Sequence, residues 1–262
     1  ELWKSDGTAS GTVMVKDIRS GSSSSSPYSL TAVGNILYFA ANNETNGREL
    51  WKSDGTANGT VMVKDINSGS SGSIDVDRFE GPIMTAVGNT LYFSATDGPN
   101  GFELWKSDGT ANGTMMVKDI YNGYSNSYPD QLTAVGNTLY FQATGDFANG
   151  SELWKSDGTA SGTVMVKNIG VGAWDSNLES LTAVGNTLYF RAWDRPNGEE
   201  LWKSDGTAAG TVLVKDIWLG SGSSYPYYLT AVGNTLYFSA AEETNGMEVY
   251  FDGFVTTEIT YS

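Results

Sequence analysis

The octapeptide Glu-Leu-Trp-Lys-Ser-Asp-Gly-Thr occurs five times in this 262-residue chain, beginning at Glu1, Glu49, Glu103, Glu152 and Glu200. Successive copies lie 48, 54, 49 and 48 residues apart, and a degraded sixth begins at Glu248. A fixed period of this size means that one supersecondary unit is stacked several times, each copy covering faces its neighbour cannot bury alone.

One period spells out four short strands, a to d. Leu30–Val33 is an apolar run ended by the turn pair Gly34-Asn35, and Ile36–Ala40 follows, rich in strand-forming types. A polar segment ending in Asn46-Gly47 leads to Glu49–Trp51, then to Asp54-Gly55, and Thr60–Ile66 closes the unit. Thr-Val-Met-Val and Leu-Tyr-Phe are apolar at consecutive positions, so both sheet faces need cover. No segment carries a helical period. The expectation is an all-β chain, a β-propeller of four-stranded antiparallel blades built from five repeats of about 48 residues. It divides as a single repeat domain, 1–262: an N-terminal c-d half-blade over 1–18, repeats over 19–66, 67–120, 121–169 and 170–217, and a last repeat over 218–262 with a degenerate c-d hairpin.

Because the chain starts on strand c, two closures are open. Residues 1–18 supply strands c and d to the a-b pair at Leu229–Ala240, closing a five-bladed ring. Alternatively, Glu248–Tyr250 and Phe254–Tyr261 complete the fifth blade in sequence. The N-terminal half-blade is then a surplus sixth unit, free to pair with an upstream blade or with another molecule.

The signature at Glu49–Ile66, Glu-Leu-Trp-Lys-Ser-Asp-Gly-Thr-x-x-Gly-Thr-x-x-Val-Lys-Asp-Ile, resembles the ELWxxDGT repeat of bacterial proteins. The likeness extends over nearly the whole chain. It departs at Asn168, where the other full copies have Asp, and at Glu248, where Val-Tyr replaces Leu-Trp. The resemblance implies a secreted or cell-surface, propeller-like repeat domain and no particular reaction.

Composition narrows the chemistry. Thirty acidic residues against fifteen basic ones give a net charge of −15, which repels a nucleic-acid backbone and anionic membranes. No run is long and apolar enough to span a bilayer. Neither cysteine nor histidine is present, which removes disulfides, thiol chemistry, Cys- or His-based zinc sites and the commonest general base. The chain opens on Glu1, not Met, as expected of a processed or trimmed piece whose targeting signal lies upstream.

The repeated residues read as framework. Asp6, Asp54, Asp108, Asp157 and Asp205 suit hairpin turns better than a ring of metal ligands. Trp3, Trp51, Trp105, Trp154 and Trp202 suit packing between blades better than a sugar-stacking ladder. All ten lysines lie in the repeats, two in each, and are expected to neutralise the Glu and Asp beside them. Asp75-Val-Asp77 with Glu80, in the enlarged repeat, offers too few oxygen ligands for a calcium site. No cofactor is expected.

The clue to function is where the repeats differ. The a-b and c-d turns are nearly identical in every copy, whereas the b-c and d-a segments, such as Ser20–Pro27 and Trp218–Tyr227, vary. One rim of the propeller is therefore monotonous and the other diverse. The diverse rim carries Tyr121, Tyr124, Tyr128, Trp174, Trp193, Trp218, Tyr225 and Tyr227. These are candidate contacts for sugar rings or protein partners, or rings that anchor loops to the blades. With no convergent acid, base or nucleophile, the expected role is non-enzymatic. The chain reads as a secreted or cell-surface structural subunit whose partner is itself, assembled head to tail through its half-blade. The alternative is a monomeric lectin-like or adhesive module that binds an extracellular glycan or protein.

Overall fold

The computed structural model describes residues 1–76, 81–243 and 246–252, the last stretch as backbone. The described residues form 21 strands and no helix. A two-stranded hairpin comes first, β1 (Leu2–Lys4) and β2 (Val13–Lys16). Blade 1 is the meander β3 (Tyr28–Val33), β4 (Ile36–Asn42), β5 (Arg48–Ser53) and β6 (Val61–Lys64). Blade 2 repeats it as β7 (Met84–Val87), β8 (Thr90–Thr96), β9 (Phe102–Ser107) and β10 (Met115–Lys118). Blade 3 comprises β11 (Asp130–Val135), β12 (Thr138–Thr144), β13 (Ser151–Ser156) and β14 (Val164–Lys167). Blade 4 comprises β15 (Glu179–Val184), β16 (Thr187–Asp194), β17 (Gly198–Ser204) and β18 (Val212–Lys215). Blade 5 has three described strands, β19 (Tyr227–Val232), β20 (Thr235–Glu242) and β21 (Gly246–Asp252). This is a β-propeller of antiparallel blades with an additional half-blade in front.

Strands begin earlier than the apolar pattern alone suggests. In blades 1, 3, 4 and 5 the innermost strand opens with an irregular register, as between Tyr28 and Thr31. Ser29, Gln131, Ser180 and Tyr228 adopt positive φ inside those bulges. Blade 2, which follows the enlarged loop, pairs β7 with β8 in unbroken register.

The core lies between blades. Val33, Tyr38, Leu50, Val63 and Ile66 form the forward face of blade 1 and pack on Ile83, Leu91, Phe93 and Trp105 of the rear face of blade 2. The same arrangement joins blades 2 to 3, 3 to 4 and 4 to 5. The N-terminal hairpin uses its forward face in the same way, with Leu2, Val15 and Ile18 packed on Phe39, Ala41 and Trp51.

The fifth blade is completed in sequence by its third strand. β20 takes β21 on its outer edge, from Leu236 opposite Asp252 to Glu242 opposite Gly246. Among the described residues β1 and β2 pair with each other alone. The closure in which residues 1–18 fill the fifth blade of the same chain is therefore not the one adopted. The proposed strand over Phe254–Tyr261 lies outside the described residues. The innermost strands pack in the order β3, β7, β11, β15, β19, and Leu30 of β3 and Val232 of β19 are both left exposed. Among the described residues the row of blades, here called the arc, thus has an exposed face at each end.

Candidate functional site

Three sets of side chains join each blade to the next, and together they define what the ends of the arc lack. The first is the leading glutamate of each repeat. Glu103 is fully buried and accepts hydrogen bonds from the backbone N–H of Ile120 (2.8 Å) and Ser127 (3.1 Å) and from the Ser127 hydroxyl (2.7 Å). Ser127 is also buried, and its carbonyl accepts the N–H of Thr144 at the end of β12. The carboxylate thus ties a d-a crossover to the next blade. Glu49 with Ser73, Glu200 with Ser224 and Glu1 with Ser25 repeat the pattern. Burial pushes Glu49, Glu103 and Glu152 up to about 7 against the pull of these donors. At Glu1, burial also pushes upward, but hydrogen bonds from Ile18 and Ser25 outweigh it and leave the carboxyl below its ordinary value.

The second set is the lysines. Lys52 donates to the Gly109 carbonyl at 2.8 Å, and Lys64 to the Thr114 carbonyl at 2.8 Å, both in the c-d turn of the following blade. Lys106 and Lys118 reach Gly158 and Thr163, and Lys155 and Lys167 reach Gly206 and Thr211. Lys4 and Lys16 of the hairpin reach Gly55 and Thr60 in the same way. The expectation that these lysines neutralise acids beside them is corrected: their direct partners are carbonyls one blade away. The acid they influence is the next blade's turn aspartate, since Lys52 adds to the lowering of Asp108. Three of them also lie over a tryptophan of that blade, as Lys64 does over Trp105 at 5.8 Å.

The third set is the turn and its tyrosine. Asp108 Oδ1 accepts the hydroxyl of Thr110 (2.7 Å) and its N–H (2.8 Å), and these bonds hold the carboxyl below its ordinary value. Asp54, Asp157 and Asp205 do the same. Gly109, at φ +88°, lies under the Tyr38 hydroxyl of the preceding blade, 2.3 Å from where a Cβ would stand. Tyr92 and Tyr140 cover Gly158 and Gly206 identically. Among the described residues no group of three or more acids is placed to hold a metal ion. Asp77 and Glu80 lie outside the described residues.

At the ends of the arc these contacts are open. Trp3, on the rear face of the hairpin, is 59% exposed, whereas Trp51, Trp105, Trp154 and Trp202 are 5 to 8% exposed. Leu30, on blade 1, is 56% exposed, against 1% for its counterpart Leu132 in blade 3. Val232 of blade 5 is 59% exposed, while Val33, Val135 and Val184 are buried. Gly55 has nothing within 4 Å of its Cβ direction, so among the described residues no tyrosine covers it. Lys203 and Lys215 of blade 4 are exposed, unlike their half-buried counterparts in blades 1 to 3.

Several of the eight rim aromatics are held by neighbouring side chains. Tyr121 is half-buried, edge-on to Phe147 at 5.3 Å, and Tyr128 stacks on Phe102 at 5.9 Å. Trp218 is half-buried against Gly222. Trp193 is half-buried beside the exposed Trp174 at 6.1 Å. Tyr227 lies under the guanidinium of Arg191, 4.4 Å from its ring centre, while Tyr124 and Tyr225 are exposed. Arg191 itself is buried between blades 4 and 5 and pairs with Glu179 and with Glu199 (3.4 Å).

The buried glutamate was absent from the sequence expectation although its signal is present. A serine stands 24 residues after each leading Glu, at Ser25, Ser73, Ser127, Ser176 and Ser224, inside segments that otherwise vary.

No family model and no curated protein matches the sequence. Solved structures do match in shape. A prolyl endopeptidase superposes with a TM-score of 0.50 at 11% identity, over 87% of this chain and 33% of that one. A puromycin hydrolase gives 0.48 at 14%, over 85% and 36%. The β-propeller domain of the Trilobed protease from Pyrococcus furiosus gives 0.47 at 8%, over 91% and 71%. At these identities the likeness is one of fold, and the chain spans about a third of the first two proteins.

Proposed function

We propose that this chain is a non-enzymatic structural subunit that assembles head to tail, as part of an extracellular or cell-surface structure of the ELWxxDGT type. One observation carries the reading: among the described residues, the faces exposed at the two ends match the two halves of the interface that joins successive blades. The leading end offers the rear face, with Trp3 and Leu30 exposed, and the trailing end offers the forward face, with Val232 exposed. A heterologous contact of this kind propagates as a chain unless its rotation closes a ring. The internal interfaces supply the docking geometry, so a second copy needs no new surface. The low density of charged residues, the abundance of Ser, Thr, Gly and Asn and the repeat resemblance favour an extracellular setting. Negative-stain electron microscopy of the purified chain, at rising concentration, tests the proposal. Linear or ring-shaped assemblies of stacked blades are expected; isolated particles of one chain at every concentration overturn it.

Exposed Trp174 beside Trp193 favours a second reading, a lectin-like or adhesive module. A glycan array with wild type and Trp174→Ala tests it: binding lost in the variant supports this reading, and no binding by wild type removes it.

A further inference from the structure

We propose that Trp174 and Trp193 form a binding subsite for one ring of a neutral glycan, on the diverse rim at blade 4. This inference rests on the lectin-like reading and names its subsite and its ligand class.

The repeats serve as controls for one another. Trp174 stands two residues before the crossover serine, where the other copies carry Ser23, Ser71, Ser125 and Gly222. Trp193 donates its N–H to the carbonyl of that serine, Ser176, at 2.7 Å. Asn42, Thr96, Thr144 and Ala241 make the same bond in the other repeats. Both positions are thus small or polar elsewhere, and both become tryptophan in the same repeat, with ring centres 6.1 Å apart.

The indole of Trp174 does not anchor its loop. Asp175 accepts the Ser151 N–H at 2.7 Å, and the Ser176 N–H and hydroxyl both reach the Ser151 carbonyl at 3.0 Å. Asn126 and Ser127 hold the preceding crossover on Phe102 by the same bonds, with Ser125 in place of the tryptophan. Ser223 and Ser224 bind Glu199 in the same manner beside Gly222. The carbonyl of Trp174 is pressed between Gly150 and Gly170, where an added Cβ would stand 2.7 and 2.3 Å from it. The backbone is therefore fixed, and an indole 59% exposed on it is preorganised for a ligand at little further entropic cost. The two rings meet at 52°, forming a corner instead of a flat stack. Such a corner takes one pyranose, its C–H face on the exposed indole and its edge against the half-buried one. A protein partner needs about 800 Å² on each side. The crossover instead surrounds Trp174 with exposed Gly172, Ala173, Asp175 and Asn177, small or polar apart from Val171. The net charge of −15, with Asp175 beside the indole, opposes an anionic glycan.

Native gels containing hydroxyethylcellulose, laminarin, galactomannan or polygalacturonate test the subsite. The wild type and Tyr124→Ala, which alters another exposed rim aromatic, are expected to be retarded by at least one of the neutral polymers. Trp174→Ala is expected to need at least tenfold more polymer for the same retardation, and Trp193→Ala to be weakened as well. The melting temperature of Trp174→Ala is expected to stay within about 1 °C of the wild type. Equal retardation of the wild type and Trp174→Ala overturns the subsite and leaves the lectin-like reading standing. Retardation by polygalacturonate alone overturns the ligand class. Retardation by none of the polymers overturns the inference and leaves the pair to a protein partner; a wild type that also binds nothing on a glycan array removes the lectin-like reading itself. A fall of several degrees in the melting temperature of Trp174→Ala makes the indole a loop anchor and contradicts the proposal.

Discussion

Glu103 is held by three close donors in a site without water access, which sets two opposing pressures on one carboxyl. Burial wins, and the group titrates near 7 instead of at its ordinary 4.5. A carboxyl whose pKa is higher in the folded than in the unfolded state contributes stability that is complete below 4.5 and is lost as pH rises through about 7. Glu49 and Glu152 act in the same direction. The turn aspartates run oppositely: their folded values are lowered, so their contribution is present at neutral pH and is lost only in strong acid. The melting temperature is therefore expected to fall between pH 5 and pH 8.5, by about 5 °C or more, and Glu103→Gln to flatten that slope. Calorimetry across the range checks it, and a melting temperature that rises over the window contradicts it. At this scale the sequence was readable wherever the chemistry is local. Asp-Gly-Thr builds its turn from atoms two residues apart, so the motif discloses its own bonds. The glutamate bonds to a serine 24 residues away, and the lysines to carbonyls 41 to 57 residues away. Only the fixed spacing, not the residue types, could have pointed to them.

Strands in this molecule are short, and none is buried by its own blade alone. A strand c tryptophan is covered by the forward face of the preceding blade, so its contribution depends on what stands in front of it. Trp105→Ala removes an indole buried against Leu50, Val63 and Ile66 and is expected to cost about 3–5 kcal/mol. Trp3→Ala, at the same place in the hairpin but exposed, is expected to change monomer stability by less than about 0.5 kcal/mol. Denaturant melts of the two variants at low protein concentration measure the difference, and equal losses would mean that Trp3 is already covered within one chain. The order and number of strands were legible from turn pairs and apolar runs, because each hairpin is closed by residues adjacent in sequence. The starts of the innermost strands were not. A bulge with Ser29 or Gln131 at positive φ interrupts the pattern that marks a strand, and only the backbone reveals that pairing resumes before it.

At the scale of the whole molecule, how the row of blades ends was the question the sequence raised and left open. Repeat phase showed that a half-blade leads the chain, but periodicity is silent on whether that unit turns back to blade 5. The structure gives blade 5 its own third strand and leaves the half-blade on blade 1. Among the rim aromatics Tyr124, Trp174 and Tyr225 are exposed, whereas half-buried pairings such as Tyr121 with Phe147 depend on loops meeting in space. What governs the molecule at this scale is one interface used repeatedly, with its two halves left over at opposite ends. Sedimentation velocity of the wild type beside Trp3→Ala, over a wide concentration range, addresses that claim most directly. The wild type is predicted to shift to larger species with rising concentration while Trp3→Ala stays at the mass of one chain. A wild type that sediments as a single chain throughout, indistinguishable from the variant, would contradict it.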